Sequence, residues 1–214
     1  MCRYLSFLLL LFAADTIAET QRWRLDPVHT QIRFTVDHQG FSRSMGLLTV
    51  RDGTLEFDPD DLSRSAALDV TVDVASLFIG DAKWRETVLS WQFLNARKWP
   101  TARYVAQHIE MHDAHRGTAR GELTLHGKTR PLELEFTLNR IGNDPYRFGR
   151  AAGFAATTTI TRSEFGMDKL LSVVGDAVEL EIAAEATPDR GRHERPARRE
   201  TTSPQETDDD DVAQ

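Results

Sequence analysis

Between residues 21 and 186, apolar and polar side chains alternate with a period of two in run after run, and this constrains the fold more than any other feature of the sequence. Ile32, Phe34 and Val36 interleave with Gln31, Arg33, Thr35 and Asp37, which describes a strand with one buried and one solvated face. The same rhythm groups Leu68, Val70, Val72 and Val74. It recurs in Leu123 with Leu125, in Leu132, Leu134, Phe136 and Leu138, in Phe154, Thr158 and Ile160, and in Val178, Leu180 and Ile182. Turn residues punctuate these runs at Gln39-Gly40, Asp52-Gly53, Asp58-Pro59, Gly127 and Gly142-Asn143-Asp144-Pro145. Many short strands at regular spacing predict an all-β domain, either a sandwich or a closed antiparallel barrel.

One segment departs from the rhythm. Between Asp81 and Asn95, Trp84, Val88 and Trp91 recur at i, i+4 and i+7, which predicts a short amphipathic helix, with Pro100 beyond its end. A lone helix in a barrel packs across an opening, so this one is expected near the cavity mouth. The N-terminus has a basic Arg3, an apolar run over residues 5–14 too short to span a bilayer, and a small residue at Ala18. Residues 1–18 are therefore expected to be a cleavable secretory signal. The barrel is expected over residues 19–187. Residues 188–214, charged and almost devoid of large apolar side chains, are expected to form a disordered tail.

Composition narrows the function. A net charge of -7 argues against nucleic-acid binding, which needs a basic face to displace counterions. The single cysteine, Cys2, lies in the expected signal, leaving an exported domain with no thiol and no disulfide. No nucleophile elbow, phosphate-binding glycine loop or His-Glu-x-x-His string is present, so no catalytic residue is assigned. His108, His112, His115 and Asp113 crowd one hairpin but straddle a solvated turn, and neither a metal nor another cofactor is expected.

Several strings stand in an order shared with a known family. They include Leu25-Asp26-Pro27-Val28-His29-Thr30, Phe34-Thr35-Val36-Asp37-His38, Phe93-Leu94-Asn95, Gly121-Glu122-Leu123-Thr124-Leu125-His126-Gly127, Arg162-Ser163-Glu164-Phe165-Gly166 and Val174-Gly175-Asp176. Over residues 22–186 the chain resembles the YceI-like, polyisoprenoid-binding proteins. The resemblance implies an eight-stranded lipocalin-like antiparallel barrel, exported to the periplasm or secreted, holding an isoprenoid quinone or prenyl phosphate. It departs from the family in the helical segment. Where an Arg-Asp pair and then His-Leu are usual, the chain reads Trp84-Arg85-Glu86-Thr87-Val88-Leu89-Ser90-Trp91, so a head-group contact at this segment does not follow from the resemblance.

Alternation and resemblance together place Phe34, Val36, His38, Val70, Val72, Trp84, Val88, Trp91, Tyr104, Leu123, Leu125, Leu134, Phe136, Phe154, Ile160 and Phe165 around the ligand. His38, Arg150 and Arg162 are the candidates for head-group contact, with a structural role for each as the alternative. Arg162 and Asp176 are placed to pair at the barrel rim. A second reading keeps the same barrel but makes it a small-molecule isomerase or dehydratase with His38 as general base. The partner is thus an isoprenoid lipid, without stable membrane insertion after signal cleavage, and with a homodimer left open.

Overall fold

The structure, a computed structural model, describes residues 20–62 and 66–190; the expected signal, and the expected tail beyond residue 190, lie outside them. Nine strands form one antiparallel sheet: β1 Gln21–Leu25, β2 Gln31–His38, β3 Ser42–Phe57, β4 Ala67–Phe78, β5 Thr101–Met111, β6 Arg116–Leu125, β7 Lys128–Asp144, β8 Gly149–Thr161 and β9 Val174–Pro188. Consecutive strands from β2 to β9 pair with their neighbours, and β2 also pairs with β9, which closes the ring. Closure removes the free edges that would otherwise template aggregation.

The ring has eight strand positions because β1 and β2 share one. Both run antiparallel to β3 and β9, β1 against Thr54 to Phe57 of β3 and β2 against Ser42 to Thr49. They are one strand broken at Asp26-Pro27. Pro27 has no N–H to give to the ladder, and the Asp26 carboxylate accepts the Val28 N–H at 2.8 Å, turning the chain out for one step.

Turn chemistry sets register. Leu125 pairs with Lys128 across a two-residue turn in which His126 (φ 51°) and Gly127 (φ 74°) both adopt positive φ, the geometry that matches strand twist. A side chain at residue 127 would also meet the Trp99 ring at 2.4 Å.

The helix α1, Ala82–Leu89, follows β4, with the Asp81 carboxylate capping the Trp84 N–H at 2.7 Å. It is shorter than its sequence pattern predicts. Ser90 ends it by hydrogen-bonding the Thr87 carbonyl through its hydroxyl (2.7 Å) and its N–H (3.1 Å), and Asn95 then takes a positive φ of 46°. No α1 residue is buried. A 3₁₀ turn, Arg162–Phe165, links β8 to a loop ending at β9. No helix among the described residues is long and apolar enough to cross a membrane.

Candidate functional site

The alternating residues converge inside the ring, but they do not fill it. Phe34, Val70, Val72, Phe136, Val178, Leu180 and Ile182 line the interior yet remain only partly buried. Their residual exposure is to an internal cavity of about 460 Å³, within the roughly 300–1,000 Å³ range of ligand pockets. A ring of about eight strands has this much room only when small residues stand opposite large ones, and Ala102, Ala119, Ala156 and Ala184 supply them.

The cavity is long and narrow. Along β3 its wall runs from Ser44 to Phe57. At about 3.3 Å per residue and a strand tilt of about 40°, that is on the order of 30 Å along the barrel axis. One end is sealed: Trp23, with no exposed surface, stacks on Phe57 at 5.1 Å, and Phe57 meets Phe154 edge-on at 6.0 Å. The other end is open, where Trp84 (41% exposed) and Leu170 (48% exposed) both line the cavity and reach its surroundings.

Gly46 keeps the channel clear. It pairs with Phe34 across β2 and β3, and a Cβ there would lie 2.6 Å from the Phe34 ring. The ring therefore lies flat against β3 instead of crossing the lumen.

Few polar groups reach the lumen. His38, Ser44, Thr87 and Arg162 stand toward the open end, Tyr104 midway, and Thr30 and Glu56 toward the sealed end. The Tyr104 hydroxyl lies 2.9 Å from the Ala119 carbonyl and 3.1 Å from that of Leu132, and burial raises its pKa. The His38 ring makes no hydrogen bond among the described residues, leaving both nitrogens available to a ligand.

Arg162 is 4% exposed, and the structure corrects its expected pairing with Asp176. Its guanidinium donates instead to the carbonyls of Gly175 (2.9 Å), Met167 (2.5 Å), Lys169 (2.9 Å) and Val174 (2.7 Å), binding the β8–β9 loop together. Asp176 accepts from the Ser163 N–H at 2.9 Å and hydroxyl at 2.7 Å. Burial lowers the Arg162 pKa, opposed by the nearby charges of Asp176 and Asp168. Four of its five N–H groups are committed, leaving one.

Of the residues assigned from sequence, Phe34, Val36, His38, Val70, Val72, Trp84, Val88, Tyr104, Leu123, Leu125, Leu134, Phe136, Phe154, Ile160 and Arg162 lie on the cavity wall. Three do not. Trp91 falls beyond the shortened helix and is 67% exposed. Phe165 is buried among the side chains behind the wall. Arg150 shares a face with Ala152 and Phe154 but lies past the aromatic floor, exposed at the sealed end. Sequence reasoning missed Ile79, Phe93, Leu94, Met167 and Val173, which line the mouth from connections without any period. Arg85 keeps a guanidinium in the divergent helical segment, but it donates to the Leu77 and Ala75 carbonyls of β4 and so tethers the helix.

Two places where metal-ligating side chains gather are occupied by the protein's own groups. In the β5–β6 hairpin, Asp113 accepts the His115 and Arg116 N–H groups, which hold its pKa down at about 2, while His112 bonds the Thr118 hydroxyl at 2.7 Å. At the β1–β2 break, Asp26, His29 and Glu185 converge as a metal site would, but Arg147 sits among them, 2.5 Å from Asp26, 2.6 Å from His29 and 3.4 Å from Glu185. A guanidinium stands where a cation would bind.

Comparison with known proteins accounts for this architecture. Residues 23–186 match the family model described as the YceI-like domain. A UPF0312 protein from Vibrio cholerae is 31% identical over 175 residues, 81% of this chain and 87% of its own, and one from Pseudomonas putida is 30% identical over 178 residues, 82% and 90%. Among solved structures, BcnA of Burkholderia cenocepacia superposes with a TM-score of 0.66 at 22% identity, covering 76% of this chain and 99% of that one. A polyisoprenoid binding domain from Saccharophagus degradans, implicated in plant cell wall breakdown, superposes with a TM-score of 0.55 at 10% identity, covering 78% and 98%. At these identities the structural matches speak for the fold, while the family match and the curated relatives establish kinship: the chain belongs to the YceI-like family.

Proposed function

We propose that the protein binds a long isoprenoid lipid, an isoprenoid quinone or a prenyl phosphate, with its tail in the lumen and its head at the open end. The observation that carries this reading is the shape and chemistry of the cavity: about 460 Å³ drawn out over the barrel's length, walled almost wholly by hydrocarbon and sealed at one end by Trp23 and Phe57. Each methylene moved from water into such a lumen contributes about 0.8 kcal/mol, so a prenyl tail gains affinity along its whole length with few polar contacts. The polyisoprenoid named for the Saccharophagus degradans domain supports that ligand class.

In this reading, His38 and the remaining Arg162 N–H face the head group, and Trp84 borders it. The protein acts as a carrier or reservoir, exported as its N-terminal sequence suggests, and the chemistry is binding rather than catalysis.

Titration with a short-chain ubiquinone tests the reading. The quinone should quench tryptophan fluorescence saturably, with Trp84→Phe reducing the amplitude, and His38→Ala should weaken binding without abolishing it. Absence of quenching together with absence of isoprenoid in organic extracts of the purified protein would overturn it.

A further inference from the structure

We propose that the open end of the barrel docks on the surface of an anionic phospholipid bilayer. This goes beyond lipid binding in the lumen: it stands on the surface around the opening, and rests on the lumen reading in choosing a bilayer over a second copy. Six large apolar side chains are exposed around the mouth: Phe41, Phe78, Trp84, Trp91, Leu170 and Leu171. They come from the end of β4 and from three connections, β2–β3, β4–β5 and β8–β9, all at the same end of the barrel. Scattered exposed apolar residues are ordinary, but a ring of them around a single opening is not.

Charge selects the partner. The chain as a whole is acidic, at -7. The β4–β5 connection at the mouth nevertheless carries Lys83, Arg85, Arg97 and Lys98 against only Asp81 and Glu86. Lys83, Arg97 and Lys98 make no ion pair among the described residues. The sealed end bears the opposite sign, with Asp26, Asp58, Asp60, Asp61 and Asp113 against Arg147 on its described connections. The molecule is thus polarised along its axis, and a negative surface turns the mouth toward itself. Exposed indoles suit the headgroup layer, where an apolar ring and an N–H are both accommodated.

The proposal commits to a bilayer rather than a second copy because the mouth must remain continuous with a hydrocarbon phase. Trp84 and Leu170 belong both to the cavity wall and to the exposed rim, so a rim seated in the interface joins lumen and lipid without an aqueous gap.

Co-sedimentation with vesicles of phosphatidylcholine and phosphatidylglycerol, compared with phosphatidylcholine alone, tests this with identical termini in every variant. The protein should partition onto the anionic vesicles, and raised salt should release it. Phe41→Ser/Trp91→Ser, neither of which lines the cavity, should cut partitioning at least about tenfold, while Tyr146→Ser/Phe148→Ser at the sealed end should leave it unchanged. Quinone binding in vesicle-free solution, measured on the same proteins, reports the lumen separately and should survive both changes. No anionic preference, equal loss from both double variants, or a concentration-dependent dimer abolished by Phe41→Ser/Trp91→Ser in place of vesicle binding would each overturn the proposal. Loss of quinone binding in the unaltered protein alone would instead refute the lumen reading.

Discussion

At the scale of single residues, the most informative positions are those where one side chain decides a local choice. Gly46 is one: Gly46→Val should push the Phe34 ring into the lumen, costing about 1–3 kcal/mol in urea unfolding and weakening quinone binding, whereas a surface glycine should show neither effect. Asp26 is another, because it ties the broken strand to β9 and the β7–β8 turn through His29 and Arg147. Burial works to raise its pKa, but the bonds from His29 and the Val28 N–H and the charge of Arg147 outweigh that and lower it below 3.8. A depressed carboxylate stabilises the fold above its unfolded pKa and loses that contribution as pH falls through the folded one. Asp26→Asn should therefore cost about 1 kcal/mol at pH 7, and the difference from the unaltered protein should shrink below about pH 4, as thermal melts across pH would show. The alternation of Ile32, Phe34 and Val36 made inward residues legible, since a strand's geometry leaves them no other side. It could not distinguish Arg150 from Phe154, which share a face on β8. That difference depends on how far along the barrel the aromatic floor lies, and three distant segments set it.

At the scale of elements, the strands were readable and the mouth only through its helix. Strand β5 carries the faintest pattern of the wall, because Ala102 and Ala106 flank Tyr104 with side chains too small to stand out. The helix was legible in kind but not in length, since the period that includes Trp91 is cut by the Ser90 hydroxyl bonding the backbone. What the element does follows from its attachments. Helix α1 buries no residue and is tied to β4 by the two carbonyl bonds of Arg85. Its amide protons should exchange far faster than those of β6 or β7, and bound ligand should slow them. Arg85→Ala should loosen this tether, raising the association and dissociation rates of a quinone several-fold with little change in Kd. Stopped-flow quenching separates these rates, and unchanged rates, or a change in only one of them that shifts Kd, would contradict a gating role for the helix.

At the scale of the whole molecule, the central fact is a closed ring that is deliberately underfilled. Two aromatic and aliphatic clusters, one at the sealed end around Trp23 and one around Tyr104 and Phe165, hold the barrel while the lumen between facing strands stays open. Filling it should exchange binding for stability: Ala156→Leu/Ala184→Leu is expected to keep or raise the melting temperature while reducing lipid affinity at least about tenfold. Alternation alone predicts a barrel but not whether it is hollow, because the same pattern serves a filled one. The family strings pointed to the hollow form, and the half-buried state of Phe136, Leu180 and Ile182 shows it in this chain. The most direct test of the account is native mass spectrometry of the gently purified protein, with the released ligand identified after organic extraction. A lipid-filled lumen gives a mass increment matching a polyprenyl compound, absent from Ala156→Leu/Ala184→Leu. A protein that is always empty and takes up no added prenyl lipid, or one whose lumen holds a polar molecule, would contradict it.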